Sequence, residues 1–194
     1  MSSTIVIILV AILVVFLFFF IGIYNTLIRQ IEAVKNNQKQ VDIQLDRRFK
    51  VFESLINTVK NYMDYEKTTL ATVIGLRSKA VAAGSAGDEK TRIEAENEIS
   101  KIASGINVVF EQYPDLKANQ NVMQLQEEIV NTENKLTFSK QALNDSIERY
   151  NANKKSLIQS FVVALVPGKL DMNFLYWQLP EGTVAERESY VAKF

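Results

Sequence analysis

Residues 5–23 read IVIILVAILVVFLFFFIGI, and no polar side chain interrupts them. At about 1.5 Å per residue, a helix of this length spans roughly 28 Å, close to the hydrocarbon core of a bilayer at about 30 Å. A cleaved signal peptide would instead carry a basic start, a shorter apolar run and small residues before the cut. Residues 1–4 contain no basic side chain, and phenylalanines crowd the end of the run. The sequence therefore predicts a short tail at residues 1–4 and an uncleaved transmembrane helix at residues 5–23, in contact with membrane lipid.

The cations around the apolar run bear on its orientation. Lys and Arg are absent before the run, whereas Arg29, Lys35 and Lys39 follow it closely. The positive-inside rule then favours a cytoplasmic C-terminal domain. Because Glu32 and Asp42 lie among these cations, a periplasmic or extracellular placement stays open.

The residues after the run carry helical spacing. Apolar side chains step by three and four from Ile31 to Val73, in a coiled-coil-like stripe whose heptad phase slips once. Neither Gly nor Pro occurs between Ile23 and Gly75. We therefore expect one amphipathic helix from about residue 24 to 81, continuous with the transmembrane helix.

Glycine and proline mark the predicted helix ends in the later part of the chain. Two glycines between Ala83 and Asp88 end the first helix, and Asp88 is a candidate N-cap for a second helix over about residues 89–110. A third helix is predicted over about residues 121–165, stopped by Pro167 and Gly168. The fold class is thus all-α: a transmembrane helix continuous with a long antiparallel up-down-up bundle over residues 24–166.

Residues 167–194 lack a helical period and are rich in aromatic side chains, among them Phe174, Tyr176 and Trp177. They predict an extended C-terminal tail that docks its rings on the bundle or on a neighbouring subunit.

The composition leaves little room for catalysis. The chain has no His and no Cys, which removes the usual general base, the thiolate nucleophile and the commonest zinc and di-iron ligands. Formal net charge is zero, so no general affinity for nucleic acid is expected. We predict no enzymatic activity, no cofactor and no metal site.

A dense charged patch, Asp42, Asp46, Arg47 and Arg48, lies on the first helix. Salt bridges to an antiparallel helix, to a carboxylate such as Glu148, explain it better than catalysis does. The residues that we predict to serve structure or an interface are Asp42, Asp46, Arg47, Arg48, Phe49, Phe52, Tyr113, Pro114, Glu133, Asn134, Phe174, Tyr176 and Trp177.

Several short stretches, in this order, resemble the LemA family of bacterial membrane proteins. They are YNTL at 24–27, VDIQLDRR at 41–48, LINTVKNY at 55–62 with Glu66, YPDLKAN at 113–119, LQEEI at 125–129, TENK at 132–135 and YN at 150–151. The resemblance implies an N-terminal anchor in the bacterial inner membrane, an N-out and C-in orientation, an elongated helical bundle and no established enzymatic activity.

The chain departs from the family pattern at three places. Glu53 stands where the family often has Pro, Leu143 where it often has Tyr, and Lys140 where it often has Arg. Lys140 cannot reproduce a bidentate Arg pair, so we do not expect it to replace a contact that depends on that Arg.

Two functions from different classes fit these features, with an enzyme a distant third. The first is a scaffold that self-associates through its bundle as a homo-oligomer, with high-order assembly as one option, because helix one carries more apolar surface than one chain covers. That surface includes Ile28, Ile43, Val51, Leu55 and Ile74. The second is an adaptor or regulator that binds another membrane protein, such as a membrane protease or a sensor of envelope stress.

Overall fold

The computed structural model describes residues 2–59, 66–110 and 118–178, and these residues form six helices without a strand. The helices are α1 (Ser2–Val59), α2 (Glu66–Ala86), α3 (Glu89–Phe110), α4 (Gln120–Lys155), α5 (Leu157–Leu165) and α6 (Pro167–Leu170). Residues 171–178 follow without regular secondary structure. The predicted all-α class is confirmed.

The chain divides into two compact units. The first unit consists of residues 1–39 and 142–174, and the second consists of residues 40–141 and 175–194. The long helices α1 and α4 each contribute one part to each unit.

In the first unit, α1 changes from uniformly apolar to amphipathic. The large apolar side chains from Ile5 to Phe19 are exposed, and the helix is long and apolar enough to cross a membrane. Further along, Leu27, Ile31 and Val34 are buried at steps of three and four. The exposed apolar part fits a single-pass membrane protein, as the run at residues 5–23 predicts.

The core of the second unit is built by four helices. Phe52 and Leu55 of α1 pack with Val73 of α2, and the same cluster contains residues of α3 and α4. The members from those two helices are Ile99, Ala103, Val122 and Ile129. Each helix therefore buries one apolar face, which is what an antiparallel bundle requires.

The prediction of a single helix over residues 24–81 is wrong. Nη2 of Arg77 on α2 lies 4.0 Å from an Asp46 carboxylate oxygen on α1. In one continuous helix these two residues would be about 46 Å apart along the axis. α2 therefore runs back along α1, and the second unit holds four antiparallel helices where three were expected.

The predicted stop at the glycines near residue 85 is confirmed. Gly87 adopts φ 75°, its N–H donates to the Gly84 carbonyl at 3.2 Å, and the Asp88 N–H donates to the Ala83 carbonyl at 2.9 Å. This is the Schellman pattern, in which glycine takes the left-handed position. Asp88 then caps α3, because its Oδ1 accepts the Thr91 N–H at 3.1 Å.

The third predicted helix, over residues 121–165, is interrupted. Asn119 caps α4 by accepting the Asn121 N–H at 3.0 Å, but α4 ends at Lys155 and α5 starts at Leu157. The Ser156 hydroxyl donates to the Asn153 carbonyl, a local bond that competes with helix continuation, and Ser156 is extended at φ −69° and ψ 151°.

Candidate functional site

The most concentrated polar cluster of the described residues lies inside the second unit and centres on Arg48 of α1. Its side chain is 1% exposed. Nη2 donates to the Glu96 carboxylate and to the Glu96 carbonyl oxygen, the latter at 3.2 Å. Nη1 donates to Ser100 Oγ at 2.6 Å and to Glu133 Oε1 at 3.2 Å. One guanidinium thus joins α1 to α3 and α4.

A second arginine completes this cluster. Arg77 Nη1 of α2 lies 2.7 Å from Oε1 of Glu96, whose other oxygen meets Arg48. The Ser100 hydroxyl donates to Glu133 Oε2 at 3.2 Å, so the serine links the guanidinium to the second carboxylate. We call Arg48, Arg77, Glu96, Ser100 and Glu133 the arginine cluster. Its two guanidinium groups balance its two carboxylates, which is how buried charges are tolerated.

The aromatic tail docks beside this cluster within the same chain. The Trp177 ring is 8% exposed, its Nε1 donates to Asn97 Oδ1 at 3.1 Å, and Asn97 Nδ2 donates to the Gln178 carbonyl at 2.8 Å. Tyr176 lines a groove with Leu76 of α2 and Ile93 of α3. Docking on the chain's own bundle is therefore the outcome for residues 175–178.

Lys140 of α4 lies between the tail and the arginine cluster. Its Nζ is 4.8 Å from the centre of the Trp177 ring, a cation–π distance. Burial, and next the positive charge of Arg48, lower the pKa of Lys140 to about 8, although Glu133 and Glu96 oppose the shift. With its pKa lowered in this way, Lys140 loses its proton at a less alkaline pH than an exposed lysine does.

The other charged residues of the predicted patch form pairs nearer the surface. Asp42 meets Arg92 of α3, and Arg47 Nε donates to Glu128 Oε1 of α4 at 3.0 Å. Asp46 pairs with Lys50 one turn along α1, at 2.8 Å. Because these pairs retain contact with water, removing one partner costs less than removing Arg48, which would leave buried carboxylates without their cation.

The first unit has its own polar centre at Tyr150 of α4, which is fully buried. The Tyr150 hydroxyl donates to the Leu170 carbonyl and accepts the Met172 N–H at 2.8 Å. Phe174 packs edge-on at 5.5 Å between ring centres, and Lys154 Nζ donates to the Met172 carbonyl at 2.9 Å. These contacts hold residues 170–174 against α4, and we call them the tyrosine latch.

The described residues contain no group of three or more carboxylates placed to hold a metal ion. The arginine cluster matches each carboxylate with a guanidinium, so it is organised to join helices.

A comparison of sequences decides the family. The profile of the LemA family matches residues 37–181 of the chain. The chain belongs to the LemA family. It is also 28% identical over 158 residues to Protein LemA of Metamycoplasma hominis, an alignment that covers 81% of this chain and 69% of that protein.

The region matched to the LemA family includes every residue of the arginine cluster and of the tyrosine latch. Of the predicted site residues, only Arg48 and Glu133 belong to the cluster. Phe52 lies in the core, and the Arg77 guanidinium lies 5.8 Å from the centre of the Phe49 ring. Asn134 is exposed, whereas Tyr113 and Pro114 lie outside the described residues.

The prediction that Glu148 pairs with the charged patch of α1 is wrong. The expectation of an antiparallel helix holds, but the α4 carboxylates that meet Arg47 and Arg48 are Glu128 and Glu133, and Glu148 is exposed.

Sequence reasoning missed Glu96, Arg77 and Ser100, although a signal was present for Glu96. It lies three residues after Ile93 and three before Ile99, both of which are buried, so it occupies the apolar stripe of α3. Arg48 likewise falls between Leu45 and Phe52 on the stripe of α1. Opposite charges on the inward stripes of two helices indicate a buried ion pair.

Proposed function

We propose that the protein is a non-enzymatic scaffold of the bacterial inner membrane that self-associates side by side through exposed faces of α2 and α4. The observation that carries this proposal is a line of exposed apolar side chains on each of these two helices, outside the apolar run of α1. The membrane anchor is the exposed apolar part of α1, and the cations after it favour a cytoplasmic bundle.

The two helices lie on opposite sides of the second unit. α2 contacts α1 through Arg77 and Asp46, and it contacts α3 through Arg77 and Glu96. α4 contacts α1 through Arg48 and Glu133, and it contacts α3 through Ser100 and Glu133. α1 and α3 are themselves joined by Arg48 and Glu96. α2 and α4 therefore flank a central α1–α3 pair, and their outer faces point in different directions.

Both outer faces carry apolar side chains at heptad-like spacing. On α2, Ile74 and Val81 are seven residues apart and about half exposed. On α4, Met123, Val130 and Phe138 follow at steps of seven and eight, and Phe138 is 71% exposed. Spacing of this kind places the side chains on one side of a helix, as in a coiled-coil seam. Exposed apolar surface outside a membrane span usually marks an interface.

The surface differs from the one expected from the sequence. Leu55 is fully buried in the core and Val51 packs against it, so neither is available for a neighbour. Ile43 and Ile74 remain exposed. The folding back of α2 covers part of α1, and the proposed contact surface moves to the outer faces of α2 and α4.

Two different faces on opposite sides favour a heterologous contact, α2 of one copy against α4 of the next. Such a contact repeats, and it closes into a ring when the rotation between copies permits. Anchoring all copies in one membrane aligns their axes and raises their effective concentration, which strengthens weak side-by-side contacts.

The test compares two double variants at the same positions, Val130→Asp/Phe138→Asp and Val130→Leu/Phe138→Leu. We expect a defined oligomer for the wild type in mild detergent at micromolar concentration, by mass measurement. The aspartate variant should become monomeric with unchanged helical content, because two carboxylates would have to be desolvated in the contact. The leucine variant should retain the oligomer.

A sharper measurement uses the absence of cysteine from the chain. In membranes, Ile74→Cys/Val130→Cys treated with a short bismaleimide should give a ladder of products beyond the dimer. Each single variant should stop at a dimer at most. A monomeric wild type without a ladder would refute self-association and favour the adaptor, which needs a different membrane protein as its partner.

A further inference from the structure

The short helix α5 has no charged residue, and its sequence LIQSFVVAL is mostly apolar. Val162 and Val163 are buried in the first unit. Four other large apolar side chains are exposed, by 50 to 78%: Leu157, Ile158, Phe161 and Leu165. A helix of nine residues thus has apolar side chains on its packed side and on its outer side.

The exposed side chains form one continuous face. At 100° per residue, Leu157, Phe161 and Leu165 lie within about 80° of one another around the helix, and Ile158 falls within about 20° of that arc. Val162 and Val163 lie outside the arc, toward the protein. The face therefore has a defined direction, which scattered surface residues would not produce.

α5 lies at the level where the apolar run of α1 ends. Gln159 of α5 and Asn153 of α4 line one groove together with Phe18, Phe19, Gly22 and Ile23 of α1. The last turns of the apolar run and α5 thus border the same groove. In a chain anchored through residues 5–23, this level is the boundary between acyl chains and lipid headgroups.

We propose that α5 is a second membrane contact, an interfacial helix whose exposed face inserts at the acyl–headgroup boundary beside the transmembrane helix. The occupant is lipid because α5 lies at the level where the apolar run of α1 ends, and all the large side chains of its exposed face are apolar. Exposed Lys155 and Lys169 flank the helix, where they meet headgroup phosphates. The second contact fixes the tilt of the first unit on the membrane, which a single anchor leaves free.

The test measures depth in the bilayer with spin labels on single cysteines, in full-length protein reconstituted in phosphatidylethanolamine–phosphatidylglycerol vesicles. Phe161→Cys and Ile158→Cys report on α5. Leu13→Cys, in the apolar run, is the reference for lipid. Ile43→Cys is the matched aqueous control, because Ile43 is 56% exposed against 50% for Ile158. Ile43 also lies about 30 Å of helix beyond Ile23.

The expected result is a ratio of oxygen to nickel-chelate collisions several-fold higher at residues 158 and 161 than at residue 43, approaching the ratio at residue 13. Equal nickel access at residues 161 and 43 would overturn the proposal. The proposal would also be overturned if residue 161 were shielded from both reagents and its spectrum showed spin–spin broadening that disappeared on dilution with unlabelled protein. In that case a second copy of the chain would cover the face. Helical content of each labelled variant, by circular dichroism, confirms that it is folded.

Discussion

The arginine cluster and the tyrosine latch solve the same physical problem in different ways. Each satisfies buried polar groups at a point where several segments meet. The cluster uses full charges, with Arg48 and Glu96 both 1% exposed. The latch uses a neutral hydroxyl on two backbone groups, at Leu170 and Met172. Charge joins separate helices in the second unit, whereas a phenol fastens a nearby segment in the first.

The difference has energetic consequences. Loss of one member of a buried ion pair leaves an uncompensated charge, which costs about 3–5 kcal/mol. Loss of a neutral hydroxyl leaves backbone groups unsatisfied, which costs about 1–3 kcal/mol. The stability of the arginine cluster also depends on pH when a titratable group is buried beside it. The comparison therefore predicts an order of effects and a difference in pH dependence.

The largest expected effect comes from Arg48→Ala. Glu96 and Glu133 would lose their shared cation, and the free energy of unfolding should fall by about 3–5 kcal/mol. Arg47→Ala, one residue away, is the matched control, because the Arg47 side chain is 43% exposed in its pair with Glu128. It should cost no more than about 1 kcal/mol. Denaturant unfolding in mild detergent, followed by the helical circular dichroism signal, measures both.

Arg48→Met separates charge from volume in that experiment, since methionine fills much of the space but pairs with no carboxylate. If Arg48→Met were as stable as the wild type, Arg48 would stabilise the fold through its volume and not through its charge. The contrast with the latch would then disappear. Equal losses for Arg47→Ala and Arg48→Ala would contradict the difference in burial.

The sequence predicts a region well when the residues that determine its structure lie close together in the chain. The membrane run is an uninterrupted apolar stretch, and the turn at Gly87 and Asp88 is specified by residues in contact with one another. The sequence between α1 and α2 contains no Gly or Pro. The stripes of α1 and α2 also face one core, so a single long helix and two antiparallel helices give the same periodicity.

The partners in the arginine cluster are not local. Arg48 meets residues 48 and 85 positions away in the chain, Glu96 and Glu133, and one sequence does not specify which of its many carboxylates those are. A charged residue on an apolar stripe signals that a partner exists but does not identify it. The tyrosine latch is equally hidden, because Tyr150 reads as an ordinary core position until its hydroxyl is seen to meet backbone.

Tyr150→Phe should have an intermediate effect, and it tests the neutral half of the comparison. The ring and its contact with Phe174 stay, but the Leu170 carbonyl and the Met172 N–H lose the hydroxyl. We expect a loss of about 1–3 kcal/mol in the free energy of unfolding, equal at pH 6 and pH 9. A loss below about 0.5 kcal/mol, or one that varied between these pH values, would mean that the latch is not the neutral device described.

The smallest effect is a pH dependence that only the charged region should show, through Lys140. Its pKa is about 8 in the folded chain and 10.5 in its ordinary state. Below pH 8 both states hold the proton, so stability carries a constant penalty there. Between pH 8 and 10.5 the unfolded chain binds more protons, so the free energy of unfolding rises with pH, by about 1 kcal/mol from pH 8 to 9.

Lys140→Met should lose this rise, since it keeps an apolar stem near Trp177 without a titrating group. Lys140→Arg should lose it because arginine stays protonated. The readout is the difference between wild-type and variant unfolding free energies across this range, in which other titrating groups largely cancel. A wild-type curve parallel to both variants would show that Lys140 is solvated like a surface lysine, and the pH contrast between cluster and latch would fail at this residue.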